Sequence, residues 1–287
     1  MLIYYSHMIG MAIVKWMPFV IATATGGDEH GAAAGDGGGH HAGGPPHLPN
    51  LIGLLTGNQG FAYEWVNVIF ALVASLVLCI IAASVYKKRE MIPGPFQNGV
   101  EMAVESMYNF LETILGKETR AFIPFLGTLF FYILIMNWMG MIPLGHSPST
   151  SLNVTVSLAL MVFFYAQYTG IKRLGIGGYL HHLAGSPTDV VSWCMVIIMF
   201  PLHIIGELAK PLSLSLRLFG NITGEDVLIA VFVGLGVAIL SFSPVGLPLQ
   251  TPFYFLGLLL SSIQALVFTL LSTIYILLML PHEEHAH

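Results

Sequence analysis

The sequence predicts an all-α membrane protein of about five transmembrane helices, and three observations predict it. The 287 residues are 55% hydrophobic and only 9% charged, with a mean hydropathy of +0.79, whereas soluble domains carry roughly a quarter charged residues. The apolar runs are long, each exceeding the roughly 20 residues that a helix needs to cross the hydrocarbon. Most of the ten Lys and Arg lie in short clusters between those runs: Lys87, Lys88 and Arg89; Lys117 and Arg120; Lys172 and Arg173. The net charge of -5 is modest and argues against nucleic acid as a partner. The two cysteines, Cys79 and Cys194, lie in apolar segments and fit no metal or redox spacing.

Composition divides the chain into an N-terminal extension, 1–60, and a membrane domain, 61–287. The first 25 residues, "MLIYYSHMIGMAIVKWMPFVIATAT", are apolar with one lysine. The small-residue end offers a cleavage site, but no charged region precedes it, so a removed signal and an extra membrane-inserted segment both stay open. Residues 26–49 are Gly-rich and contain His30, His40, His41 and His47. They read as a linker, with metal capture as the weaker alternative.

Spans are expected at 63–86, 121–143, 151–171, 190–243 and 251–280. Between the first two basic clusters lies "PGPFQNGVEMAVESMYNFLETILG". Glu101, Glu105 and Glu112 sit near one face at helical spacing, and Val104, Tyr108, Leu111 and Leu115 on others. An amphipathic helix along the cytoplasmic interface is expected there. The positive-inside rule puts all three basic clusters in the cytoplasm. The Gly/His-rich linker is then outside and the acidic tail "PHEEHAH" inside.

The stretch "KPLSLSLRLFGNITGED" breaks the pattern, placing Lys210, Arg217, Glu225 and Asp226 within the fourth apolar run. Lys210 can snorkel from a tilted helix; Arg217 is too deep for that. A charge at mid-membrane costs a few kcal/mol even on the lenient insertion scale, so such residues line water or meet another charge. On a helix advancing about 100° per residue, Asn221 lies about 40° from Arg217, Lys210 about 20°, His203 about 40° and Glu225 about 80°. Asp226 falls about 180° away, so Arg217 cannot pair with it on one helix. The carboxylate that balances Arg217 is therefore sought on another helix or chain. Arg suits a fixed charge because it stays protonated. Glu, Asp and His suit a proton relay because their pKa values move with environment. On the last run, Ser261, Gln264, Phe268 and Tyr275 share a stripe; Gln264 serves either as interhelical glue or as channel lining. The same two readings hold for Asn137 in "LIMNWMGMIP".

"KPLSLSLRLFGNITGEDVLIA" resembles the signature of subunit a of the F-type ATP synthase. "YFLGLLLSSIQALVFTLLSTIYI", "PGPFQNGVEMAVESMYNF" and "FFYILIMNWMGMIPLG" are similar to its other segments, in order, over about residues 60 to 280. The resemblance implies a proton-translocating stator subunit with two offset half-channels and no cofactor or catalytic site of its own; the positive-inside pattern with the long N-terminal extension favours a bacterial inner membrane. Its implied partners are the c-subunit ring, the b subunits of the peripheral stalk, the remainder of the synthase and membrane lipid. Arg217 would face the ring carboxylate between the half-channels. Asn221 and Gln264 match polar positions near it, Asp226 matches the relay carboxylate with Glu225 before it, and Asn137 matches a position of the outer half-channel. His203 stands where many relatives have Glu, and Glu207 would share or replace that role. Some relatives carry Asp at Gly140 and His at Gly257, so the outer relay would rest on Glu225, Asp226 and water. The last two helices are expected to be long, tilted and paired as a hairpin against the ring, which fits the excess length of 190–243.

Two other classes are weighed. An ion-coupled secondary transporter would bind an anionic substrate at Arg217, but such folds show repeated halves, and none is visible here. An intramembrane hydrolase would need a Ser/His or HExxH constellation, and His181 and His182 have no carboxylate motif beside them. A sodium-translocating version of the same subunit stays open; protons are preferred because nothing resembles a sodium cage. No Walker pattern is present, so ATP chemistry would belong to partners.

Overall fold

The computed structural model describes residues 65–87, 94–142, 145–183, 190–240 and 251–280, the side chains of 176, 180–183, 190–195 and 236–240 excepted. The expectations for the extension 1–60, for Lys88, Arg89 and the acidic tail, and for the side chains of His181, His182 and Cys194 lie outside the described residues. Among those described, the chain is helical between short turns and has no strand. The helices are α1 (Val66–Lys87), α2 (Pro95–Leu115), α3 (Thr119–Met141), α4 (Leu152–Leu183), α5 (Val190–Leu240) and α6 (Thr251–Leu278), with 3₁₀ turns at Gly116–Glu118 and Pro148–Thr150. Five stretches are long and apolar enough to cross a membrane: Val66–Lys87, Pro95–Met141, Leu152–Gly175, Val196–Leu235 and Thr251–Leu278. This is the all-α membrane class that the apolar runs predict.

The core lies where α3 meets α1, α4 and α6. Leu126, Ile133 and Met136 of α3 are fully buried, as are Phe268 and Ile276 of α6. Helix α1 contributes a narrow stripe, Ala71, Ala74, Ser75 and Leu78, while Leu76 and Ile80 face outward. Three of those four side chains are small, so the backbones approach closely, which is how helices associate where lipid removes the hydrophobic driving force. Tyr132 of α3 donates to the Ala71 carbonyl at 3.4 Å. Phe125 and Tyr165 stack at 4.0 Å between α3 and α4. Buried Thr269, Ser272 and Thr273 return their hydroxyls to carbonyls of α6 itself. None of these three hydroxyl hydrogens is left unpaired, which in hydrocarbon would cost several kcal/mol.

Helix α2 has the amphipathic character expected of it. Met107, Leu111 and Leu115, at i, i+4 and i+8, are buried, and Glu105 and Glu112 are exposed. Gly116, at φ 57°, ends the helix with its N–H on the Glu112 carbonyl. Glu118 just beyond pairs with Arg173 near the far part of α4 at 2.5 Å. That pair brings the second and third basic clusters to one end of the molecule. Both partners are about two-fifths exposed, so the bridge itself contributes under about 1 kcal/mol.

Two long helices dominate the remainder. Helix α5 has 51 residues, about 76 Å at 1.5 Å per residue, against about 30 Å of hydrocarbon. It cannot stand upright within the bilayer. Pro201 and Pro211 lie within it, and each deletes a main-chain hydrogen bond and loosens the rod at that point. Helix α4 is broken instead by Gly175, at φ 72° and ψ 165°, a region almost closed to side-chain-bearing residues. Gly175→Ala is expected to cost about 1–3 kcal/mol, read as a lower midpoint for thermal unfolding in detergent. An unchanged midpoint would show that the break does not need glycine.

Candidate functional site

The motif residues all lie on α5, and neighbouring helices sort them into two polar groups. Toward its C-terminal half, Glu225 accepts a hydrogen bond from Ser261 of α6 at 2.9 Å. The main-chain carbonyl of Ser261 accepts from Asn137 of α3 at 3.4 Å, and Asn137 Oδ1 accepts from the Ser149 hydroxyl at 2.8 Å. Ser149, Asn137 and Ser261 are each no more than 2% exposed. A polar line thus runs through the core from the Pro148–Thr150 turn to a carboxylate on α5. At the same end, His146 and Asn67 are 2.7 Å apart, tying that turn to the start of α1. Asp226, next to Glu225, is half-buried.

Two glycines make this group possible. A Cβ on Gly257 would collide with Glu225 Oε1 and lie 2.9 Å from its Cδ. The carboxylate therefore occupies the volume that a side chain at 257 would take. A Cβ on Gly140 would meet Ser147 Cβ at 2.6 Å. The 145–151 segment fills the space that an acid at 140 would need, and it brings Ser149 to Asn137.

The second group lies ten residues before Arg217. Lys210 pairs with Glu207 one turn earlier, and the Glu207 carboxylate also accepts from Gln167 of α4 at 3.1 Å. Lys210 Nζ stands 5.5 Å from the ring centre of Tyr275 on α6. A cleft opens here, lined by Phe163, Gln167, Glu207, Lys210, Leu214 and Tyr275. His203 is not part of it: its side chain is exposed one turn further out.

Arg217 stands between the groups. It is about 15 Å along the axis from Glu207 and about 12 Å from Glu225, at 1.5 Å per residue. Its side chain is exposed and joins no ion pair among the described residues. Tyr275 lies within electrostatic reach of both Arg217 and Glu207. One turn beyond Arg217, Asn221 donates to Gln264 Oε1 at 2.5 Å, clamping α5 to α6. Gln264 Nε2 and the Thr223 hydroxyl are buried with no hydrogen-bond partner among the described residues. An unmatched buried donor costs about 1–3 kcal/mol.

The structure joins Asn221 to Gln264 and Glu207 to Lys210 directly, and links Glu225 to Asn137 only through Ser261; it leaves His203, Asp226 and Arg217 without such a partner among the described residues. Ser149 and Gln167 escape the sequence reading. Ser149 sits in a turn, where hydroxyls are ordinary. Gln167 is a lone amide in the run "MVFFYAQYTG", a signal that polar residues in apolar spans always offer.

The family model described as ATP synthase A chain matches residues 66–277. Curated relatives include the ATP synthase subunit a of Protochlamydia amoebophila, 49% identical over 247 residues, covering 83% of this chain and 91% of the relative. That of Oleidesulfovibrio alaskensis is 37% identical over 248 residues, covering 85% and 99%. That of Geobacter sulfurreducens is 34% identical over 220 residues, covering 77% and 86%.

The fit of Glu225 into the space beside Gly257 has a direct check. Gly257→Val is expected to destabilise the detergent-solubilised protein by about 1–3 kcal/mol through overpacking. Shortening the group it meets, in Gly257→Val with Glu225→Ala, should restore most of the loss. A double variant no more stable than the single one would mean that Glu225 is not what occupies that space.

Proposed function

The chain belongs to the ATP synthase A chain family, and from that premise we propose that it conducts protons between two offset half-channels and a ring of c subunits. Its position would be the stator of the synthase, beside the b subunits of the peripheral stalk. The ATP chemistry belongs to other subunits. The observation that carries the reading is Arg217: a guanidinium on the open face of α5, without an ion pair among the described residues, between two polar groups on either side of it along the helix.

The mechanism follows from charge. A guanidinium stays protonated under all working conditions, and exposing it to hydrocarbon costs a few kcal/mol. A ring carboxylate arriving in front of it removes that cost. At about 4 Å and an effective dielectric of about 20, the attraction is about 4 kcal/mol. That is enough to hold the passing carboxylate ionised, so a proton must leave the ring before a site can pass Arg217. The same fixed charge repels a proton hopping directly from one half-channel to the other. The group around Glu225, with Asp226, Asn137 and Ser261, supplies protons on one side. The group around Glu207, with His203 at its mouth, receives them on the other.

The positive-inside rule sets the sides. The end carrying Lys87, Lys117, Arg120, Lys172 and Arg173 is cytoplasmic, so the Glu207 group opens to the cytoplasm and the Glu225 group to the outside. The Gly/His-rich linker is then outside and the C-terminus inside, in a bacterial inner membrane. Rotation driven by inward proton flow powers ATP synthesis, and ATP hydrolysis reverses it.

In inverted vesicles carrying the assembled synthase, Arg217→Ala is expected to reduce ATP-driven proton pumping to background while the complex stays assembled. Pumping at near wild-type rates would remove Arg217 from the path and the reading with it. Adding sodium should leave wild-type pumping unchanged; stimulation of ATP hydrolysis by sodium would replace protons with sodium as the coupling ion.

A further inference from the structure

Glu207 is held from two helices, and the hold on the α4 side is built in two steps. Gln167 Nε2 donates to Glu207 Oε2 at 3.1 Å. On its other side, Gln167 Oε1 accepts from the Tyr179 hydroxyl. A side-chain amide offers a donor at one end and an acceptor at the other, and the two ends differ little in shape. The Glu207 carboxylate, which only accepts, settles that the amide nitrogen faces it, and the Tyr179 hydroxyl then donates to the remaining Oε1 and anchors the amide in that position.

The chain reaches this arrangement through a break in α4. Gln167 and Tyr179 are twelve residues apart, about 18 Å along an uninterrupted helix, too far for their side chains to touch. Gly175, at φ 72°, turns the chain back between them. Gly170 then leaves room for the returning ring: a Cβ there would stand 3.4 Å from Tyr179 Cδ2 and 3.3 Å from Met279 Sδ. Two glycines and a tyrosine thus serve one amide.

We propose that Gln167 and Tyr179 are positioning residues of the half-channel at the basic end, with Tyr179 orienting the Gln167 amide and Gln167 fixing the Glu207 carboxylate across the cleft between α4 and α5. The proposal rests on the proton-channel reading above. One Glu207 oxygen faces Lys210 and the other Gln167, so the carboxylate cannot rotate away from the cleft without losing a donor. The charged or titratable groups around it are His203 and Lys210 on its own helix, Tyr179 on α4 and Tyr275 on α6, with Arg217 beyond Tyr275. Lys210 holds one oxygen with a charged donor on a flexible stem, whereas Gln167, itself anchored by Tyr179, fixes the direction of the other.

The test uses inverted vesicles with the whole synthase, measuring pumping and then, after removal of the soluble head, passive proton conductance against pH. Glu207→Gln should abolish the limb of the profile that Glu207 sets. Gln167→Leu should lower conductance about tenfold and displace that limb by about one pH unit, the scale of a lost hydrogen bond to a charged group. Tyr179→Phe should displace it in the same sense by less. Adding Tyr179→Phe to Gln167→Leu should change nothing more, because the tyrosine acts through the amide. Profiles of Gln167→Leu and Tyr179→Phe that superimpose on wild type would overturn the proposal, as would an unaltered profile for Glu207→Gln. If Gln167→Leu does not assemble, Gln167→Glu decides, since it keeps the shape but sets a second carboxyl beside the first: a displaced limb supports the assignment and a superimposed one overturns it. Arg217→Ala is the reference. If it pumps like wild type, the channel reading itself fails; if it is silent while the Gln167 and Tyr179 variants match wild type, only the positioning role fails.

Discussion

A guanidinium on the open face of a membrane helix is the constraint on which the rest of this structure depends. Arg217 has no ion pair among the described residues, and hydrocarbon against it would cost a few kcal/mol. Burying it against a carboxylate of its own chain would have been the cheaper solution. The chain instead places its carboxylates, Glu207 and Glu225, about two helical turns away or more on either side. Their partners come from other helices: Gln167 and Lys210 for one, Ser261 for the other. Each is held where it is, and neither reaches the arginine.

That separation dictates the architecture around α5. A helix that presents Arg217 outward carries its two polar groups about 27 Å apart along its axis, close to the thickness of the hydrocarbon, and the 51 residues of α5 run well past both. Helix α6 runs beside it and contributes to every level: Ser261 to Glu225, Gln264 to Asn221, Tyr275 between Glu207 and Arg217. Helices α3 and α4 supply the third wall, through Asn137 at one end and Gln167 at the other. The apolar core of α3 fixes those walls, so the polar contacts are held by packing rather than by their own small net energies.

Volume is exchanged between positions that are remote in sequence. Gly257 yields its side-chain space to Glu225, thirty-two residues earlier, and Gly140 yields its own to the segment carrying Ser147 and Ser149. In both cases an absent side chain is the condition for a polar group arriving from another element. At the opposite end, Gly170 does the same for Tyr179, while Gly175 contributes the positive φ that turns the chain back.

Much was legible in the sequence, and for definite reasons. Hydropathy and run length fix the spans, because lipid tolerates only backbone that satisfies its own hydrogen bonds. The helical angle between Arg217 and Asp226 rules out their pairing, because a single helix fixes that angle. Asn221 and Gln264 stood out as amides in apolar runs, and the structure joins them directly. What the sequence by itself determined is therefore whatever depends on one helix at a time: which runs span, which face carries charge, and that Arg217 finds no carboxylate partner on its own helix. Tertiary structure alone decided the pairings between helices. That Glu207 rather than His203 enters the cleft, that Ser149 continues the line from Asn137, and that Gln167 meets Tyr179 across the break at Gly175 all depend on distances between elements and on left-over volume, neither of which has a period in the sequence.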